Sequence, residues 1–170
     1  MTYKWIGAIL VVVSCGGFGF SLAASYRREE RFLEQMVSLT DFMICQLQYQ
    51  LTPLPELCRM AGKETKGVLR ELLLRYGAEM EKQIAPDSYS CMVAALAGQE
   101  NLPYGGRKIC VDLGSSLGKF DLPGQLNGLE NLKKQCQQKR NALENNRDVR
   151  LRGYQTLGLC AGAAVVILFI

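Results

Sequence analysis

Two charge-free apolar stretches, one near each end of this 170-residue chain, constrain it more than any other feature. No residue from Trp5 to Ser25 carries a charge, and none does from Gly153 to Ile170. A helix crossing a hydrocarbon core of about 30 Å needs roughly 20 residues, a length the first stretch reaches and the second only approaches. All Asp and Glu residues, and every Lys and Arg but Lys4, lie between them. The predicted organisation is an N-terminal transmembrane helix in residues 1–25, a polar domain in 26–152 and a C-terminal transmembrane helix in 153–170.

The flanking charges orient these spans. Arg27, Arg28 and Arg31 follow the first, and Arg147, Arg150 and Arg152 precede the second, whereas the outer ends carry almost no charge. Basic residues stay on the cytoplasmic side of a retained helix, so the central domain is expected in the cytoplasm and both termini across the membrane. Tyr3, Trp5, Tyr26 and Tyr154 sit where interfacial aromatics belong. The rival reading is an exported lipoprotein processed at Cys15, because Val12-Val13-Ser14-Cys15 resembles a lipoprotein box. Against it, Lys4 is the sole basic residue before the apolar run, and the chain stays apolar well past Cys15. Cys15, Gly19 and Ala23 form one row of small residues and Gly158 and Gly162 another; such rows let helices pair within a chain or between copies in a homo-oligomer. A general richness of membrane helices in glycine explains them equally well.

Composition removes whole classes of chemistry. There is no histidine, hence no Ser/His/Asp triad, no Cys/His dyad and no histidine metal site. The 7 cysteines show no C-x-x-C spacing and are odd in number, which suits small buried hydrophobes in a reducing compartment better than zinc or a disulfide framework. A net charge of +4 spread over a near-balanced centre implies no nucleic-acid partner.

Between the spans the patterning is helical. Phe32, Met36, Leu39, Met43 and Leu47 make one apolar stripe on a helix continuing out of the first span. Pro53 and Pro55 end it near Leu51, and a short helix capped by Thr52 or Leu54 is expected through Met60. A third helix runs from Val68 through Ile84 to a stop at Pro86; a fourth runs from an Asp87 or Ser88 cap to Gly98. Residues 101–107 form a loop, and a fifth helix then runs from about Ile109 to Leu117 with Gly118 as its stop. Asp121 caps the last helix, whose stripe is Leu122, Leu126, Leu129, Leu132, Cys136 and Leu143. Nothing breaks that helix before the second span, so a stalk of about 45 Å is expected antiparallel to the extension of the first span. The fold class predicted is all-α, about six helices between two membrane helices.

Few side chains suggest chemistry. Gly114-Ser115-Ser116-Leu117-Gly118-Lys119 superficially resembles a phosphate loop, but it is one residue short, Phe120 replaces the Ser or Thr, and no strand precedes it. The carboxylates are dispersed without the apolar setting that separates an acid from a base, so catalysis, a cofactor and a resident metal are not implied. Lys133, Lys134, Lys139 and Arg140 alternate with Glu130 and Glu144, as on a solvated stalk. The corner Thr52-Pro53-Leu54-Pro55-Glu56 holds Leu54 between two prolines, a rigid presentation that suits a protein contact; a plain turn with Leu54 packed inward is the competing reading.

The stretches Tyr49-Gln-Leu-Thr-Pro-Leu-Pro-Glu56 and Leu113-Gly-Ser-Ser-Leu-Gly-Lys-Phe-Asp121 with Gln125, followed by Tyr154 to Gly162 before a terminal apolar run, resemble the stage III sporulation protein AB family of endospore-forming Firmicutes. The resemblance implies a platform or adaptor without enzymatic activity, in the mother-cell membrane around the forespore and within the stage III sporulation channel complex. It implies a domain similar to that of the type II secretion F protein. The partners it implies are stage III sporulation protein AA, a secretion-type ATPase, and other channel proteins. The same resemblance concentrates on two corners, which makes Thr52, Leu54, Pro55, Glu56, Gly114, Leu117, Gly118 and Asp121 the candidate partner-interface residues. The small-residue rows remain candidates for membrane packing. A membrane-anchored helical signalling or scaffold protein is the other class considered; it would need long heptads, which Pro53 and Pro55 interrupt.

Overall fold

The computed structural model describes the backbone of residues 2–82, 85–118 and 121–169, with side chains described from residue 24 to residue 145 of these. Six α-helices and no strand occur among the described residues: α1 (Thr2–Tyr49), α2 (Leu54–Glu64), α3 (Val68–Glu81), α4 (Ser88–Ala95), α5 (Gly106–Ser116) and α6 (Leu122–Phe169). The all-α expectation is met. The chain divides into two units: residues 29–140, and the two helix ends 1–28 with 141–170. Among the described residues no helix is long and apolar enough to cross a membrane. The side chains of 1–23 and 146–170, with most of both charge-free stretches and the rows Cys15, Gly19, Ala23 and Gly158, Gly162, lie outside the described residues.

Within residues 29–140 the core forms where the periodicity placed it. Phe32, Met36, Leu39, Met43 and Leu47 are all buried on one face of α1. Thr40 is buried among them; its hydroxyl donates to the carbonyls of Met36 and Val37, both at 2.9 Å, so the core holds no unpaired hydroxyl there. The helix stops at the expected corner, where Leu51 takes a positive φ of 49° just before the two prolines.

Helices α2 and α3 form an antiparallel hairpin. A Cβ on Gly62 would lie 3.1 Å from the Leu74 side chain, and one on Gly77 would lie 3.1 Å from the Pro55 carbonyl oxygen, so each end of one helix abuts the opposite end of the other. Helix α2 runs past the predicted stop at Met60 to Glu64. Its true end is Thr65, whose buried hydroxyl donates to the Ala61 carbonyl at 3.1 Å, and the chain reverses at Gly67 with φ at 63°. The first residue outside α2 is Pro53, without a side-chain cap, rather than Thr52 or Leu54. Helix α3 ends at Glu81; residues 83 and 84, the last of the predicted span, lie outside the described residues.

Both predicted aspartate caps are present. Ser90 N–H donates to Asp87 Oδ1 at 3.2 Å at the start of α4, and Gly124 N–H donates to Asp121 Oδ1 at 3.1 Å at the start of α6. Helix α5 starts earlier than expected, at Gly106, because Gly105 takes the left-handed conformation that lets the loop enter it. On α6, Leu129, Leu132 and Cys136 reach the core, whereas Leu122, Leu126 and Leu143 are half-buried. Helices α1 and α6 run antiparallel in this unit. Lys133 pairs with Asp41 at 2.5 Å, and further along, Lys139 partly offsets the effect of burial that raises the Glu29 carboxyl above its usual range.

Candidate functional site

The two corners singled out in the sequence, though far apart in the chain, meet in space. A Cβ built on Gly118 would lie 3.2 Å from Leu54 Cδ1 and 3.1 Å from Ser88 Cβ, so the first corner, the end of α5 and the start of α4 converge at one point. The Ser88 hydroxyl shares a hydrogen bond with the phenol of Tyr76, which is buried on α3. Ser88 also offers its carbonyl toward Gly114, whose added Cβ would fall 2.5 Å from Met92 Cβ. Four helices and one glycine turn therefore fix this junction.

The candidate interface residues divide by depth. Gly114 and Leu117 are buried, so they act on the junction from within. Glu56, Gly118 and Asp121 are exposed, and Thr52, Leu54 and Pro55 are half-buried. Glu56 pairs with Arg59 one turn along α2 at 3.6 Å, both side chains more than half exposed, an arrangement that contributes little to stability. The Thr52 hydroxyl lies 3.4 Å from Gln46 Oε1. Leu54 reaches Gly118 yet keeps part of its surface, a mixture of the inward and outward readings of that corner.

Exposed apolar side chains lie close in sequence to the junction residues Leu54 and Ser88, and the sequence patterning did not single out their exposure. Tyr49 is 81% exposed, Leu51 69% and Tyr89, next to Ser88, 45%. For Tyr89 the signal available was its place in the first turn of an aspartate-capped helix, off the face of α4 that buries Cys91, Met92 and Ala95.

The cysteines follow the sequence reading in part. Cys58, Cys91, Cys110 and Cys136 are buried free thiols, and Cys45 is exposed, contrary to the expectation that all are buried. Cys45 falls outside the α1 stripe, between Met43 and Leu47, which explains its exposure. Burial pushes the thiols of Cys58 and Cys110 up to about 12 and that of Cys136 up to about 11, so these groups stay protonated and unreactive near neutrality. No group of residues suited to a metal ion occurs among the described residues.

A separate hollow of about 500 Å³ lies between α1 and the α2–α3 turn. Arg31, Glu34, Glu64 and Lys66 line it around Leu39 and Phe42. Its two cationic and two anionic side chains balance.

Fold and junction together define a class: an all-helical domain whose first and last helices, α1 and α6, are each 48 residues long, with a glycine-built junction where α2, α4 and α5 meet. The profile of the stage III sporulation protein AB family matches residues 4–170, and the chain belongs to that family. A solved structure of a stage III sporulation protein AB has the same fold, with a TM-score of 0.61 at 12% identity, covering 72% of this chain and 98% of that one. No curated protein matches the chain by sequence.

Proposed function

We propose that this protein is a non-enzymatic membrane platform of the stage III sporulation channel complex between mother cell and forespore. Residues 1–25 and 153–170 anchor it, and the helical domain in 26–152 stands in the mother-cell cytoplasm. There it docks stage III sporulation protein AA, the secretion-type ATPase, and other channel proteins, as the type II secretion F domain does for its own machinery. The observation that carries this reading is the continuity of α1 and α6. Each is a 48-residue helix that leaves the polar core and continues through a charge-free stretch, flanked on the core side by arginines. A chain without histidine and without a phosphate loop has no evident means of supplying energy, which is consistent with a partner that hydrolyses nucleotide.

In this reading the junction of Leu54, Gly118 and Ser88 is the docking corner, and the small-residue rows in the anchors pack the membrane helices or pair copies. Co-purification tests it. A tagged full-length protein, solubilised from sporulating cells, retains the ATPase and other stage III channel proteins. Recovery of the protein alone, from cells in which those components are present, removes the reading.

A further inference from the structure

We infer that the turn carrying Tyr104 rests on the membrane surface and lays that ring among lipid headgroups; the inference rests on the platform reading, in which residues 1–25 cross the bilayer. Tyr104 is 91% exposed, more than any other large apolar side chain among the described residues. It stands on a built turn. Gly106 N–H donates to the Pro103 carbonyl at 2.9 Å, and Gly105, at φ 73°, supplies the positive dihedral that lets the chain close there. The turn is seated on α1: a Cβ on Gly106 would lie 3.2 Å from the Pro103 ring and 3.3 Å from Phe32 Cε1, and both Gly106 and Phe32 are buried.

Phe32 ties this turn to the membrane entry. It is seven residues past Ser25, the end of the first charge-free stretch. Seven helical residues span about 10 Å, so in the platform reading the bilayer surface is never far from the turn. At that depth a tyrosine keeps its ring at the edge of the hydrocarbon and its hydroxyl in water, which is why membrane interfaces favour it. A tyrosine meant for a protein contact has no reason to sit over Phe32 in particular; the short tether is what selects lipid. Because the turn is already seated, little entropy is lost when it docks. The ring, not charge, carries the contact. From Leu96 to Ile109 the charged residues are Glu100, Arg107 and Lys108, and residues 27–34 hold Arg27, Arg28 and Arg31 against Glu29, Glu30 and Glu34. Five cations against four anions leave one positive charge, which an anionic headgroup layer does not repel.

The test uses the full-length protein in vesicles of phosphatidylglycerol and phosphatidylcholine, the latter brominated near the headgroup end of its acyl chains so that it quenches nearby tryptophan. Trp5 is the single tryptophan of the chain, so Tyr104→Trp in a Trp5→Phe background leaves one reporter. The control is Tyr49→Trp in the same background, at a position 81% exposed and 17 residues further along α1 than Phe32. Both positions are exposed, so neither substitution disturbs the core. The bromines are expected to remove roughly half or more of the Tyr104→Trp emission and to leave that of Tyr49→Trp nearly unchanged. Equal quenching in the two variants, or quenching in neither, overturns the inference. So does a Tyr104→Trp emission that lipid leaves unquenched and that shifts to the blue when the ATPase or another channel protein is added, which marks a protein contact instead. Each of these outcomes leaves the platform reading standing if the protein still floats with the vesicles after an alkaline carbonate wash. A protein that carbonate strips from the vesicles removes the platform reading and this inference with it.

Discussion

Leu54 and Gly118, on opposite sides of three intervening helices in the chain, touch so closely that a Cβ on Gly118 would lie 3.2 Å from Leu54 Cδ1. Gly118 also sits at φ 72°, where an L side chain is strained. Gly118→Val therefore meets a backbone cost of about 1–2 kcal/mol and a steric one besides. Thermal unfolding of the full-length protein in detergent is expected to shift down clearly. An unchanged melting curve would mean that the corner relaxes freely and does not hold Leu54 in place.

Glu56→Lys gives the opposite pattern. It loses one exposed pair with Arg59, so folding should change by no more than about 1 kcal/mol. Partner retention and sporulation efficiency should nevertheless fall, because the corner loses one of its carboxylates and gains a cation. If melting, partner retention and sporulation are all unchanged, the first corner is only a turn.

Much of this fold was legible in local pattern. The buried stripe of α1, the break at Pro53 and Pro55, the caps at Asp87 and Asp121, and the left-handed Gly118 all follow from periodicity and backbone chemistry acting over a few residues. The end of α2 was not, because Gly62 weakens the helical pattern just past Met60 while the actual stop depends on Thr65 bonding back to Ala61. Nor was the convergence of Leu54, Ser88 and Gly118, which depends on how closely helices pack through Gly77 and Gly114. The same packing explains why Gly114 and Leu117, read as interface candidates from the sequence, lie buried beneath the corner while Glu56 and Asp121 stay on it.

Gly114→Ala tests that packing directly. The new methyl would fall 2.5 Å from Met92 Cβ, an atom that no rotamer change moves, so a loss of about 1–3 kcal/mol in denaturant unfolding is expected. Because the clash is with Cβ, combining it with Met92→Ala should give no rescue. Full rescue by Met92→Ala would show that the outer part of the methionine, not the backbone spacing of α4 and α5, sets the contact.

Buried thiols predict how stability depends on pH. Burial raises Cys58 and Cys110 from 9.0 to about 12 and Cys136 from 9.0 to about 11, so above pH 9 the unfolded chain releases protons that the folded chain keeps. The stabilisation is complete below the unfolded value and is lost as pH rises toward the folded one, by up to about 1.4 kcal/mol per pH unit for each thiol. Urea unfolding under reductant between pH 8 and 11 should show this fall, and Cys58→Ala should flatten the slope whatever it does to absolute stability. An equal slope in the variant would mean that Cys58 titrates normally in the folded protein.

The central claim is that two terminal helices hold the helical domain on the cytoplasmic side of a membrane. Labelling of a cysteine placed by Asn101→Cys with a membrane-impermeant maleimide, in non-sporulating cells that carry the protein in the plasma membrane and in a Cys45→Ser background that removes the exposed thiol among the described residues, tests it most directly. The account predicts labelling only after the cells are permeabilised. Labelling of position 101 in intact cells would contradict it.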